Sequence, residues 1–190
     1  MKALLLPLLL LGSAACDAQA PAGNAATQPR ALAEAAPSPL PALPALTGRV
    51  VDQADILPGE AEAALTARLA ALEAATADQL VVVTWPSLGG ESIEKLGLRL
   101  GNGWGIGQKY LDNGVLLIVA PNDRRARIEV GTGLEGLLTD DIASRIIDRQ
   151  MAPHFRQGSY PEGIRAGVLA IEGILQSDPK RPRPNRRAIG

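Results

Sequence analysis

Cysteine and histidine are nearly missing: the 190-residue chain has one of each, Cys16 and His154. An internal disulfide is therefore excluded, and so is a zinc site of Cys and His ligands within one chain. A Ser-His-Asp triad would rest on His154 alone, and no Gly-x-Ser-x-Gly elbow is present to present the serine. His154, in Ala152-Pro153-His154-Phe155-Arg156, reads as a surface or edge residue. Aromatics make up 3% of the chain, so the core has to be built from Leu, Ile, Val and Ala, with Trp85 and Trp104 as core or loop anchors. The net charge of -1 gives no general pull toward nucleic acid, and none is expected as a partner. No internal apolar run reaches the ~20 residues of a transmembrane helix.

What is present begins with an export signal. Lys2 precedes the apolar run Leu4 to Leu11 and then small residues, which reads as a signal peptide over 1–15. Cys16 stands where cleavage is expected. Ser13-Ala14-Ala15-Cys16 resembles a bacterial lipobox, with Ser13 where Leu is usual; ordinary signal-peptidase cleavage is the alternative. The expectation is an exported protein of the bacterial envelope or periplasm, held to a membrane by lipid on Cys16. Asp17 slightly favours the inner membrane. Residues 16–46 are rich in Ala and Pro and read as a semi-extended tether. Residues 47–176 read as the folded domain. Residues 177–190, with Lys180, Arg181, Arg183, Arg186 and Arg187 among prolines, read as a basic disordered tail, either solubilising or in contact with an anionic surface.

Within the domain, apolar periodicity predicts helices after Pro58 (Leu65, Leu69, Leu72), from Ser92 (Ile93, Leu96, Leu100), from Asp140 (Ile142, Ile146, Ile147) and over 160–176 (Ile164, Val168, Ile171, Leu175). Val81–Val83 and Val115–Val119 sit in continuous apolar runs, as central strands covered on both faces do. Arg125 to Val130 alternates and reads as the second arm of an antiparallel hairpin. The order is β-α-β-α-β-β-α-α. It predicts an α/β fold, a small mixed sheet flanked by helices on both faces as a three-layer α/β/α sandwich.

Gly131-x-Gly133-x-x-Gly136 spells a dinucleotide-binding loop. The chemistry also needs a helix that starts inside the motif and a following parallel strand. Leu137-Leu138-Thr139 intervene and no later strand exists, so no nucleotide is expected. The glycines are expected instead to permit left-handed turns where the strand leaves the sheet. The Trp104 loop, Asp112-Asn113 and the 131–140 loop should meet at one sheet edge, gathering Asp112, Asn113, Glu135, Asp140 and Asp141. Loop carboxylates suit a hard cation, Ca²⁺ or Mg²⁺, with Asp112, Glu135 and Asp140 as candidate ligands. Asp112-Asn113-Gly114 also reads as an ordinary turn, and Asp140 as an ordinary cap.

Four segments taken together resemble the TPM domain family: Val51-Asp52-x-Ala54-x-Ile56-Leu57, Asn113 to Ala120, Asp123-Arg124-Arg125-x-Arg127 through Gly136, and Pro153-x-Phe155-Arg156-x-Gly158-x-Tyr160-x-x-Gly163-Ile164. That family includes thylakoid-lumen proteins linked to photosystem II repair and many exported bacterial proteins. The resemblance implies an α/β/α sandwich. Acid phosphatases and proteins that bind divalent ions occur in the family, so the resemblance implies a metal-dependent acid phosphatase as one role. Arg127 is then a candidate anion contact and Asp52, at the family's Val-x-Asp position, an alternative metal ligand; Asp123 at the hairpin tip is a further one. The anchor, the long tether and the lack of a His or Cys nucleophile favour the other role, a module that binds or assists a membrane or envelope protein complex.

Overall fold

In the computed structural model, which describes residues 42–178, a completely buried strand organises the rest. Gly114–Ala120 (β3) is buried at every position. A strand with apolar side chains on both faces must be covered on both, and here it is. β3 pairs in parallel with Gln79–Thr84 (β2), which pairs in parallel with the short strand Val50–Asp52 (β1). On its other side β3 pairs antiparallel with Arg125–Val130 (β4) through a hairpin, giving the order β1-β2-β3-β4.

Alternation along the strands divides the core in two. Val115, Leu117 and Val119, with Leu80 and Val82, face Gly59–Thr76 (α1), Asp140–Ile146 (α3) and Tyr160–Gln176 (α5). Leu116, Ile118 and Ala120, with Val81 and Val83, face Ile93–Trp104 (α2). The result is the α/β/α sandwich, with three long or medium helices on one face and α2 on the other. The buried stripes are those that the periodicity picks out: Leu65, Leu69 and Leu72 on α1, and Ile164, Val168, Ile171 and Leu175 on α5. Ser92 and Thr139 cap α2 and α3, accepting from the backbone amides of Lys95 and Ile142.

The structure departs from the sequence reading in three places. First, α3 continues as a π-helical turn, Ile147–Met151, and a short helix, Ala152–Phe155 (α4). Pro153 in the first turn of α4 cannot donate a backbone hydrogen bond. The turn drops Met151 into the core at 0% exposure, beneath Gly163 and Gly167 of α5. Second, packing begins upstream of Thr47: Leu43 lies against the α2-side core, and the Trp104 indole donates to the Pro44 carbonyl at 2.9 Å. Third, Gly131, Gly133 and Gly136 are absent from the residues with positive φ, so the expected left-handed turns are not there. Close approach replaces them. A Cβ on Gly131 would fall on the Asp112 carbonyl, and one on Gly133 on the Leu111 carbonyl, whereas one on Gly136 would meet open space.

No helix among the described residues is long and apolar enough to cross a membrane. The expected signal peptide (1–15), Cys16, the tether up to residue 41 and the tail from residue 179 lie outside the described residues. The glycine geometry gives a controlled pair of substitutions. Gly133→Ala should lower stability by about 1–3 kcal/mol because backbone has to move, while Gly136→Ala should stay within about 0.5 kcal/mol of the parent, both read from urea unfolding.

Candidate functional site

Loops converge at the edge where β3 begins. Gly131 N–H donates to the Gly114 carbonyl at 2.8 Å and Gly133 N–H to the Asp112 carbonyl at 3.1 Å, so the strand-exit loop lies directly on the strand-entry loop. The Thr132 hydroxyl donates to the Asp112 carboxylate at 3.2 Å. Asn113 turns inward, 6% exposed. Its amide donates to the Ala77 carbonyl at 2.7 Å and to Asp78 at 3.2 Å, and its side-chain oxygen accepts from Gln108 N–H at 2.8 Å. Gln79 completes the clamp by accepting from Gly107 N–H at 2.8 Å. Tyr110 (φ 78°) and Asp112 (φ 46°) hold left-handed backbone in the same loop, and for a bulky aromatic that conformation is a genuine outlier.

Between this edge and α2 opens a cleft of about 390 Å³. Asp112 and Glu135 both line it, as the convergence argument predicts. Glu129, Gly97 and Gly101 line it too, and none of these three was singled out from sequence. Gly97 and Gly101 are four residues apart on one face of α2, a spacing that could have been read as a strip of missing side chains. A Cβ on Gly97 would stand 2.9 Å from the Glu129 carboxylate.

Asp140 does not join them. It lines a second cleft of about 310 Å³, beside Arg125, Arg127 and Glu94 along β4. Leu134 and Leu138, buried at 4% and 1% in the α1-side core, draw the loop across to the far face before α3 begins. Asp141 is an exposed first-turn acid of α3. The alternatives Asp52 and Asp123 stand at the opposite end of the sheet and hold loops. Asp52 accepts from Leu57 N–H at 2.8 Å and from the Thr84 hydroxyl, and Asp123 accepts from Leu88 N–H at 2.8 Å. Arg127 pairs with Glu129 at 2.5 Å. Among the described residues no group of three or more His, Cys, Asp or Glu side chains is placed to hold a metal ion, so the three-acid grouping of Asp112, Glu135 and Asp140 is not formed.

With this geometry in view, the TPM domain family matches residues 50–174, and the chain belongs to that family. The chain is similar to the N-terminal domain of a P. gingivalis protein solved by solution NMR. Identity is 43%, covering 68% of this chain and 82% of that one, with a TM-score of 0.64. BA42 protein from the psychrophilic bacterium Bizionia argentinensis matches at 21% identity over 63% and 81% of the two chains, TM-score 0.55. The N-terminal domain of a Corynebacterium glutamicum protein matches at 16% over 73% and 88%, TM-score 0.55. These last two share the fold. Comparison with curated proteins returns no match.

Two measurements test the clamps. Asn113→Ala should cost about 1–3 kcal/mol, because it strands the Gln108 N–H and leaves the Ala77 carbonyl only its longer bond from the Gln108 side chain, as read from denaturant midpoints. Glu94 sits at the α2 amino terminus. Its own backbone N–H, then the Ser92 hydroxyl, then Arg127 and Arg125, hold its carboxyl below the usual glutamate value. NMR titration should show that low midpoint, and Ser92→Ala should raise it.

Proposed function

We propose that this chain is a membrane-tethered, envelope TPM-domain binding module whose cleft receives a positively charged ligand. One observation carries the reading: the cleft is lined by Asp112, Glu135 and Glu129, the last ion-paired to Arg127, and among the described residues by no Lys, Arg or His. Such a surface attracts cations and repels a bare phosphomonoester. Arg127, the candidate anion contact, is already engaged by Glu129. The donor set fits a divalent cation that keeps most of its water, since Mg²⁺ is commonly held through one or two carboxylates. Here those would be Asp112 and Glu135. It does not fit a dehydrated Ca²⁺ that requires six to eight oxygens. A metal-dependent acid phosphatase would need the cation first, so binding is the more basic property.

The tether is the second part of the proposal. The sequence around Cys16 supports a lipid anchor, the Ala/Pro-rich stretch up to residue 46 a spacer, and a membrane or envelope protein complex is the partner such an arrangement serves. Cys16→Ser should move the protein from the membrane to the soluble fraction on cell fractionation; retention in the membrane would sink the anchor. For the cleft, Mg²⁺ and Ca²⁺ are titrated into residues 17–190 with backbone amide shifts as the readout. Saturable movement at 112 and 131–136, lost in Asp112→Asn, is the expected result and would justify assaying phosphomonoester hydrolysis. No movement at millimolar ion would remove the metal-binding reading and with it the phosphatase.

A further inference from the structure

The sheet ends in an open edge at β4. Its register pairs Leu116 with Glu129, Ile118 with Arg127 and Ala120 with Arg125. The bond from Gly131 N–H to the Gly114 carbonyl fixes the phase: alternate antiparallel pairs exchange hydrogen bonds, so the pairs containing 125, 127 and 129 are the bonded ones. Ala126, Ile128 and Val130 therefore turn their N–H and C=O groups away from β3. Among the described residues no loop or helix group is bonded to them. Ile128 is only 4% exposed as a residue because its side chain is buried in the α1-side core, and its outward peptide groups lie at the floor of the edge, where unpaired backbone is costly. The first turn of α2 (Ile93, Glu94), α3 (Ala143) and the start of the π-helical turn (Ile147) flank this edge and leave the 310 Å³ cleft along it.

We propose that β4 pairs antiparallel with β4 of a second copy of this chain, across a twofold axis at Ile128, joining two four-stranded sheets into one. Charge selects both occupant and register. Centred on Ile128, all three outward residues find partners: Ile128 meets its own copy and Ala126 meets Val130 of the second copy. On the α2 face, Arg127 then stands opposite Glu129 of the second copy, twice by symmetry. Centred one step away, on Arg127, the same strands set Arg127 against Arg127, and opposite-facing like charges destabilise a strand pair. A twofold interface must be self-complementary, and the Arg-x-Glu spacing of β4 provides that. Charges can also guard an edge against pairing. A guard of one sign repels a second copy in every register, whereas Arg127 and Glu129 of opposite sign do not. The proposal needs no ion in the acidic cleft, although Glu129 also lines that cleft.

The test uses residues 17–190, which contain both cores; the 43%-identical P. gingivalis relative is itself an isolated domain in solution. Sedimentation velocity from micromolar to submillimolar protein should show a concentration-dependent monomer–dimer equilibrium. Arg127→Glu and Glu129→Arg, each alone, set like charges opposite one another and should weaken self-association by at least about tenfold. An equimolar mixture of the two variants restores both cross-strand pairs and should dimerise like the parent, which also shows that each variant is folded. A parent that stays monomeric throughout, single variants that associate as the parent does, or a mixture that fails to recover would each overturn the proposal.

Discussion

Asn113 is the polar centre on which the loop-clustered end of this protein depends. One buried side-chain amide joins the end of α1, the loop after α2 and the start of β3, and it does so where water cannot substitute. A buried amide with all its partners in place fixes geometry more sharply than apolar contact can, because every displacement breaks a directional bond. The two glycines of the β4 exit loop complete the constraint by sterics. Lacking Cβ atoms, Gly131 and Gly133 let one loop rest on the carbonyls of another. Together these features hold Asp112 in left-handed backbone at the mouth of the cleft.

That local order explains how the acids are sorted. Asp112 and Glu135 share the α2-side cleft because both belong to the two stacked loops. Asp140 is carried to the other side because Leu138, between it and Glu135 in the chain, is buried in the α1-side core, and burial of a leucine, about 1.5–3 kcal/mol, outweighs any tendency of nearby carboxylates to stay together. Asp52 and Asp123 are consumed at the far end of the sheet by amides that need acceptors. Family membership is thus established for residues 50–174, while Asp112 and Glu135 are left together in one cleft with an acidic lining.

The sheet and the long helices were legible because their signal is periodic and local. Val115 to Val119 can only be a doubly covered strand, and Ile164, Val168, Ile171 and Leu175 can only be one helical face. The convergence of the 112 and 131 loops followed from strand direction alone. The π-helical turn was illegible, since Ile147 and Met151 continue a helical spacing and only the packing of Met151 under Gly167 shows that the phase has shifted. The role of the glycines was misread because a sequence records that a side chain is missing and not which neighbour required it. The division of Asp140 from Glu135 was hidden for a similar reason: five residues along the chain say nothing about which face of the sheet each reaches.

The unequal layers have a consequence for motion. On one face α1, α3 and α5 brace one another through a continuous core, and on the other α2 is the lone helix among the described residues, held by Ile93, Leu96 and Leu100 and by the strip at Leu43 and Trp104. Local opening follows the weakest set of buried contacts, and an α2 layer that lifted first would leave the sheet and the α1, α3 and α5 layer in order. The inner face of α2 is also one wall of the acidic cleft. A displacement of α2 would therefore reshape one wall of an already open cleft, with the thick half of the sandwich as the platform against which the thin half moves.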